Sequence, residues 1–210
     1  NNESSIIEIG QYAFANCLNL SNFEIPLNLE FIDDYAFQYC ENLVTVKPLI
    51  NEKSNLKRIG NNAFLNCKSL IEIQIPSSLK IIGKNAFFEC EKLELVNFLE
   101  FEKIESNHIT SPEKSVIDDF AFSNCLNLTK IKIPSKFTKI GRYAFNRCSK
   151  LSWIEFSENS ELEFIGNSAF KSTKIEKLEI PSKVNFLEDG CFSGTLKTIS
   201  IELSPKNKDI

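Results

Sequence analysis

The 210-residue chain has no methionine, one histidine and one tryptophan. A single histidine, with no paired C-x-x-C among seven cysteines, leaves too few ligands for a zinc site. Nothing approaches the run of about 18 apolar residues that a membrane-spanning helix needs, so we predict no direct membrane insertion. Because methionine is absent, we expect the native N-terminus to lie outside this sequence.

The chain also lacks a strong excess of either charge. It carries 24 basic and 28 acidic residues, which give a net charge of -4. Domains that bind nucleic acid are usually basic, with clustered lysine and arginine, so nucleic acid is not an expected partner.

Catalytic motifs are missing as well, because the chain has no P-loop, no G-x-G-x-x-G and no H-E-x-x-H. His108, near Glu105 and Ser106, offers base, acid and hydroxyl in one stretch, but a polar loop supplies neither an oriented base nor an oxyanion hole. The carboxylate pairs Asp33-Asp34 and Asp118-Asp119 recur at equivalent repeat sites, which favours a role in turns over acid-base chemistry. We therefore predict that the chain is not an enzyme and has no catalytic, cofactor-binding or metal-binding residue.

What the sequence does contain is one short unit written eight times. A small residue precedes a phenylalanine in each copy, and successive phenylalanines are 23, 27, 23, 35, 23, 25 and 22 residues apart. This period indicates a solenoid, in which stacked rungs bury a continuous core. We expect the repeat phenylalanines to form an interior column, namely Phe14, Phe37, Phe64, Phe87, Phe122, Phe145, Phe170 and Phe192.

The aligned copies read L-x-x-I-G-x-x-A-F-x-x-C-x-x-L-x-x-I-x-I-P, as in Leu56 to Pro76. The last part of the unit alternates apolar and polar residues, which predicts a strand with one buried face. The A-F-x-x-C-x-x-L part has a spacing of three, which predicts a short helical or 3₁₀ turn on the opposite side. Each rung is therefore predicted to contain a strand, a turn and a helical turn.

Glycine follows the L-x-x-I segment in five units, and Asp33, Asp118 and Glu188 replace it in the other three. We interpret this glycine as permitting a tight bend or a positive φ, which aspartate tolerates and glutamate tolerates poorly. The eighth unit, with Glu188, should therefore be the most irregular. Pro48 occupies the last strand position of the second unit, so that rung is expected to pair weakly.

Six of the seven cysteines fall three residues after a repeat phenylalanine, and Thr173 and Thr195 take that position in the last two units. A thiol at a fixed repeat site behaves as a small buried hydrophobic group. We predict buried free thiols on this ground. Disulfides between adjacent rungs are the alternative, because stacking does not forbid α-carbons within about 7 Å.

The combination of Ile-Gly-x-x-Ala-Phe-x-x-Cys-x-x-Leu with Ile-x-Ile-Pro, seen in Ile59 to Pro76, resembles the BspA-type leucine-rich repeat. The resemblance extends from about Ile6 to Ile201. It implies an α/β solenoid, a right-handed horseshoe of about eight rungs with a parallel concave sheet and short helical or 3₁₀ turns opposite. Residues 1–210 would then be a single domain, with an insertion at 100–115 that we interpret as a surface loop.

The resemblance also implies a function, because members of this family are often surface proteins that adhere to host or matrix proteins. It supplies no catalytic residues. A cell-surface or extracellular location is favoured on this basis, and a cytoplasmic one stays open.

The residues between the buried strand positions should face outward and form two columns along the sheet. Most of these residues are polar, but Leu95 and Trp153 are large and apolar, and Lys130 lies between them in the stack. Tryptophan is enriched among interface anchors, and Lys130 or Lys177 could lie over its ring. The alternative is that Trp153 covers lysine stems and only stabilises the sheet. The candidate partner-binding residues are Leu95, Lys130, Lys132, Trp153, Glu155 and Lys177.

These observations predict a non-enzymatic module that binds another protein, or a glycan, through its sheet. A structural spacer, or a solenoid scaffold that self-assembles through its open ends within a longer protein, is the alternative.

Overall fold

The computed structural model describes residues 5–49, 54–99 and 114–201. These residues form a parallel-strand β-solenoid of about seven turns. The eight strands of its largest sheet enclose seven full circuits, so the count of eight rungs given by the phenylalanines is one more than the number of complete turns. The insertion at 100–115, with His108, lies almost entirely outside the described residues.

The first sheet has eight parallel strands, one from the segment just before each glycine position. These strands pair in sequence order, and each of the first seven ends in a buried isoleucine, whereas the eighth ends in an exposed leucine. The sequence alternation predicted only the other sheet, because most strands of the first sheet are two residues long. The strands are β1 (Glu8–Ile9), β3 (Phe31–Ile32), β5 (Arg58–Ile59), β7 (Ile81–Ile82), β9 (Ser115–Ile117), β11 (Phe137–Ile140), β13 (Phe164–Ile165) and β15 (Phe186–Leu187).

The second sheet is the one that the alternating pattern predicts. Its six parallel strands are β2 (Asn22–Ile25), β4 (Thr45–Pro48), β6 (Glu72–Ile75), β8 (Leu95–Phe98), β10 (Lys130–Ile133) and β12 (Trp153–Phe156). The last two strands, β14 (Lys177–Ile180) and β16 (Thr198–Ile201), form a separate pair. The break follows from the sequence, because Phe145 and Ile154 are nine positions apart whereas Phe170 and Leu178 are eight apart.

The predicted helical or 3₁₀ turns are not formed, since no helix occurs in the described ranges 5–49, 54–99 and 114–201. In the A-F-x-x-C segments the backbone N–H groups alternate between two kinds of partner. The Phe64 N–H donates to the Ala86 carbonyl of the next rung at 2.8 Å, whereas the Leu65 N–H donates within its own rung to Asn62 at 3.1 Å. A helix would keep all of these bonds within one segment, so stacking has replaced helix formation with a chain of turns.

Backbone dihedrals also explain why these segments do not form helical turns. The residue before each repeat alanine and the residue before each repeat cysteine have φ between +52° and +62° in the first six rungs. Asn62 and Asn66 suit this left-handed region, whereas Tyr143 and Arg147 adopt it against their intrinsic preference. Two such residues per segment are incompatible with a right-handed helix.

The reason for the repeat glycine also differs from the expectation. Gly60, Gly83, Gly141 and Gly166 do not have positive φ, and a Cβ at any of them would lie within 2.5–2.8 Å of backbone atoms in the preceding rung. Close approach between rungs therefore selects glycine. With Glu188 in this position, β15 still pairs in register with β13, so glutamate does not make the eighth unit irregular there.

The core confirms the predicted phenylalanine column. Rings of successive rungs stack with centroids 5.0–5.5 Å apart, and the six between Phe37 and Phe170 are fully buried. Phe14, at the first rung, is 37% exposed.

All seven cysteines are free, as predicted, and five thiols donate to the phenylalanine carbonyl of the preceding rung. The hydroxyls of Thr173 and Thr195 bond instead to the phenylalanine carbonyl of their own rung. Pro48 pairs with Ile25, but the ladder from β4 to β6 covers only Thr45 and Val46, which agrees with the weaker pairing expected there.

Candidate functional site

The outward side chains of β8, β10 and β12 bring the predicted binding residues together. Leu95 lies opposite Lys130, and Lys130 lies opposite Trp153, in the register that the alignment predicts. Lys132 and Glu155 are paired one step further along the same two strands. We call these five residues, Leu95, Lys130, Lys132, Trp153 and Glu155, the Trp153 face.

Strand alternation explains why Trp153 points outward. Its strand neighbour Ile154 is 7% exposed and packs into the core, whereas Trp153 is 50% exposed. Ile131, next to Lys130, is buried in the same way. The backbone pairing of β10 with β12 fixes the position of the indole without covering it.

The Trp153 face carries three charged side chains, and two of them form an ion pair. The Lys132 ammonium lies 3.5 Å from a Glu155 carboxylate oxygen, and both side chains are about half exposed, so this pair contributes little to stability. Lys130 makes no ion pair with any described residue. Within the described ranges, neither Lys130 nor Lys177 lies over the indole; the lysines that do face rings are Lys136 and Lys139, at Phe137 and Phe164.

Lys177 is set apart from the other five predicted residues. It lies on β14, which forms no backbone ladder with β12, and its paired neighbour is Thr198. The shortened seventh unit thus makes β12 the last strand of the second sheet, with Trp153 beside the break.

Ile71 extends the apolar surface and was not predicted. It is 41% exposed, and its carbonyl accepts the Leu95 N–H at 3.1 Å, so it lies beside Leu95 in the preceding rung. The sequence does contain a signal for Ile71, at the position directly before each strand of the alternating pattern. Polar residues occupy that position in most units, and Ile71 is the exception with the largest exposed apolar side chain.

A shallow depression of about 520 Å³ lies near the end of the first sheet. Its lining includes Arg142, Tyr143, Phe186 and Glu188. Arg142 donates two hydrogen bonds of 2.9 Å to the Glu188 carboxylate, which also accepts the Asn167 N–H. The Arg142 hydrogen bonds lower the pKa of Glu188 from 4.5 to about 2, so this carboxylate is ionised and fully bonded, and unsuited to proton transfer.

Other titratable groups also have structural roles. Asp34 accepts the Asn61 N–H at 2.7 Å and binds Arg58, and Asp119 accepts the Arg142 N–H at 2.8 Å, so both aspartates tie one rung to the next. Burial raises the pKa of the Cys40 thiol to about 11, which keeps it protonated and unreactive.

The described ranges 5–49, 54–99 and 114–201 offer neither a metal site nor a membrane-spanning helix. No cluster of three or more histidine, cysteine or acidic side chains is placed to hold a metal ion there. That part of the chain also contains no helix with the length and apolar character needed to cross a bilayer.

The family model for the BspA-type leucine-rich repeat region, with six copies, matches residues 1–114 and 115–210. The chain belongs to this family. Repeat domains of the BspA type are typically non-enzymatic, and a role in protein interaction or as a scaffold is general to leucine-rich repeats. No curated protein is similar enough to this chain to count as a match.

Several solved structures have the same fold. A leucine-rich repeat protein from Bacteroides ovatus is 32% identical with a TM-score of 0.73, and 95% of this chain aligns with 48% of that one. A leucine-rich cell surface protein from Faecalibacterium prausnitzii is 25% identical with a TM-score of 0.69, covering 94% and 50% of the two chains. The pneumococcal vaccine antigen PcpA is 26% identical with a TM-score of 0.56, covering 87% and 40%. This BspA-type chain therefore spans about half the length of the first two proteins.

Proposed function

We propose that this chain is a non-enzymatic protein-binding module, one domain over residues 1–210, and that the Trp153 face is its recognition surface. The observation that carries the proposal is a half-exposed tryptophan held on a paired strand beside Leu95 and Lys130. Tryptophan provides a large contact area at low entropic cost, and such residues are enriched among the few that dominate binding energy. Ile71 enlarges the apolar contact, and Lys177 lies across the break at its rim.

The partner we propose is another protein, on a host cell or in its matrix. The described similarity to a cell surface protein and to a vaccine antigen supports an extracellular location and a role in adhesion. The ammonium group of Lys130, which has no ion-pair partner among the described residues, lies next to an indole and suits a partner segment that carries an apolar side chain beside a carboxylate. A glycan, whose sugar ring would stack on the indole, is the second class of partner to test.

A binding experiment with matched variants tests this proposal. The full chain, Trp153→Ala and Leu126→Ala are used to capture proteins from host-surface and matrix extracts, and each captured partner is then purified and titrated. Leu126 is a suitable control because it is an exposed apolar residue on a turn and belongs to no strand of the second sheet. We expect Trp153→Ala to weaken binding by about 2 kcal/mol or more, roughly thirtyfold in Kd, and Leu126→Ala to leave it unchanged. Equal affinities for all three proteins would contradict the assignment of the Trp153 face.

A role as a spacer or self-assembling scaffold within a longer protein is the second candidate. The repeated junctions between rungs and the greater length of the related chains support it. Light scattering after size-exclusion chromatography separates the two roles, since assembly through the ends depends on concentration and a monomer with a binding face does not.

A further inference from the structure

Apolar and charged side chains of the Trp153 face alternate along the axis of the solenoid. Leu95, Lys130 and Trp153 occupy one register position on three successive strands, so they form a single row that runs across the strands. The row holds one ammonium group between two apolar side chains. A partner that contacts all three residues must therefore present an apolar, an acidic and an apolar group in that order, at the same intervals.

The stacking of the core fixes the interval between the members of this row. The rings of Phe87, Phe122 and Phe145, which belong to the same three rungs, have centroids 5.1 Å and 5.2 Å apart. Hydrogen-bonded parallel strands have a similar interval of about 4.8 Å. Leu95 and Trp153 are therefore about 10 Å apart along the axis, and Lys130 lies halfway between them.

An α-helix repeats the side chains of one face at nearly this interval. Its rise of about 1.5 Å per residue separates positions i and i+7 by about 10.5 Å, with position i+3 or i+4 between them on the same face. In an extended strand the side chains of one face are about 6.6 Å apart, so the third would lie about 13 Å from the first. A polyproline II segment returns to one face every 9 Å or so, at about 3.1 Å per residue, and presents no side chain halfway. Among these three conformations, the helix matches the row best.

The flank of the row that precedes it along the strands leaves room for a helix. The residues directly before Lys130 and Trp153 are Thr129 and Ser152, which are short and exposed, and the Ser152 hydroxyl donates to the Thr129 carbonyl at 3.4 Å. Glu94 holds the same position one rung earlier and is also exposed. Its carboxylate favours a basic residue on the partner at that end of the row.

The other flank adds no strong charge. Lys132 and Glu155 form an ion pair of 3.5 Å, so their charges largely compensate each other. Lys130 makes no ion pair with any described residue, which makes it the cation that selects an acidic side chain. Ile71 lies one rung before Leu95 and is 41% exposed, so it extends the apolar end of the row for a helix residue three or four positions earlier.

We propose that the Trp153 face binds an α-helix of its protein partner, laid along the solenoid axis. An acidic residue of the helix pairs with Lys130, and two apolar residues seven positions apart contact Leu95 and Trp153. The acidic residue lies three or four positions after the first apolar one, depending on the direction of the helix. This inference rests on the proposed function and adds the conformation and the residue pattern of the segment that is recognised.

Four synthetic peptides test the conformation and the charge separately. The helical probe is an alanine- and glutamine-rich peptide that carries leucine, glutamate and leucine at positions i, i+4 and i+7. A second peptide has lysine in place of the glutamate, and a third has a central proline that breaks the helix. The strand probe is a threonine-rich peptide with leucine, glutamate and leucine at alternate positions. None contains tryptophan, so the fluorescence of Trp153 reports binding.

We expect saturable binding of the helical probe to the full chain. The lysine, proline and strand peptides should each bind at least tenfold more weakly, because each removes either the charge or the spacing that the row requires.

A charge exchange tests the contact at Lys130. Lys130→Glu should weaken binding of the glutamate-containing helical probe about tenfold and strengthen binding of the lysine peptide by a similar factor, because the same contact is re-formed with its charges exchanged. Lys47→Glu is the matched control, since Lys47 is an exposed lysine on β4 of the same sheet and lies outside the Trp153 face. It should leave both affinities unchanged. Thermal melts establish that both variants are folded.

Three outcomes would overturn the inference: no saturable binding of the helical probe, equal affinity for the helical and strand probes, or an unchanged preference for glutamate in Lys130→Glu. The capture experiment with Trp153→Ala tests the proposed function independently of these results. A captured partner that depends on Trp153 but is displaced by the strand probe, or by oligosaccharides released from the same extract, and not by the helical probe, would keep the binding face and exclude a helix as its ligand.

Discussion

At the scale of single residues, the repeat phenylalanine is the side chain on which the core depends most. Phe64 is fully buried, with its ring 5.0 Å from Phe37 and 5.1 Å from Phe87. Burying such a side chain contributes roughly 1.5–3 kcal/mol, and a cavity in a close-packed stack adds to the cost of removing it.

We predict that Phe64→Ala lowers the free energy of unfolding by about 3–5 kcal/mol. Phe145→Ala, in another inner rung, should behave alike. Phe14→Ala is the matched control, because its ring is partly exposed and, among the described residues, stacks on one repeat phenylalanine instead of two, so its loss should cost clearly less. Chemical denaturation measures all three, and equal losses for Phe14→Ala and Phe64→Ala would be inconsistent with a continuous interior column.

The repeat glycine is constrained by the rung before it. A Cβ on Gly83 would lie 2.7 Å from the backbone carbon of Gly60, whereas a Cβ on Gly10 would meet nothing within 4 Å.

Gly83→Ala should therefore push two rungs apart and cost about 1–3 kcal/mol, the usual range for overpacking a core. Gly10→Ala introduces the same methyl group at the equivalent position without that contact, and it should be neutral. Thermal melts compare the two variants. A Gly83→Ala protein as stable as Gly10→Ala would show that the close approach between rungs is not what selects glycine.

At the scale of elements, neighbouring rungs are tied by side chains as well as by strands. Glu188 in the eighth unit accepts hydrogen bonds from Arg142 in the sixth and from the Asn167 backbone in the seventh, so one carboxylate connects three units. Because both partners bind the ionised form, the pKa of Glu188 falls from 4.5 to about 2.

This shift gives a pH dependence with a definite sign. A lowered folded-state pKa stabilises the fold at pH values above 4.5, and that stabilisation is lost as the pH falls from 4.5 towards 2. We expect Glu188→Gln to lower Tm at neutral pH and its difference from the wild-type chain to shrink across that window. Glu94→Gln is the control, since Glu94 is exposed and makes no ion pair with a described residue. A Tm difference that stays constant down to pH 2 would rule out the ionic link.

At the scale of the whole molecule, periodicity accounts for what could be predicted. The ring column, the thiol column and the outward register of Leu95, Lys130 and Trp153 all follow from which positions recur in each copy. Each of these features depends on one type of side chain at one repeat position, and both can be read directly from the sequence.

The features that were missed depend on contacts between copies. A spacing of three fits a helical turn and a stacked turn equally well. The stacked turn forms because the Phe64 N–H donates to a carbonyl of the next rung. The need for glycine at Gly83 is likewise set by backbone in another rung. The break beside Trp153 was readable, because Phe170 and Leu178 are one position closer than their counterparts, but it matters only once strands are aligned across rungs.

The chain has one tryptophan, so the proposed recognition surface has a spectroscopic probe of its own. Incorporating fluorotryptophan places a single ¹⁹F label at Trp153, half exposed on the outward side of β12. We expect one resonance for the free chain, accessible to a soluble paramagnetic quencher, and a shifted, protected resonance when a captured partner is added. A partner that binds the chain and leaves both the position and the quenching of this resonance unchanged would show that recognition takes place elsewhere.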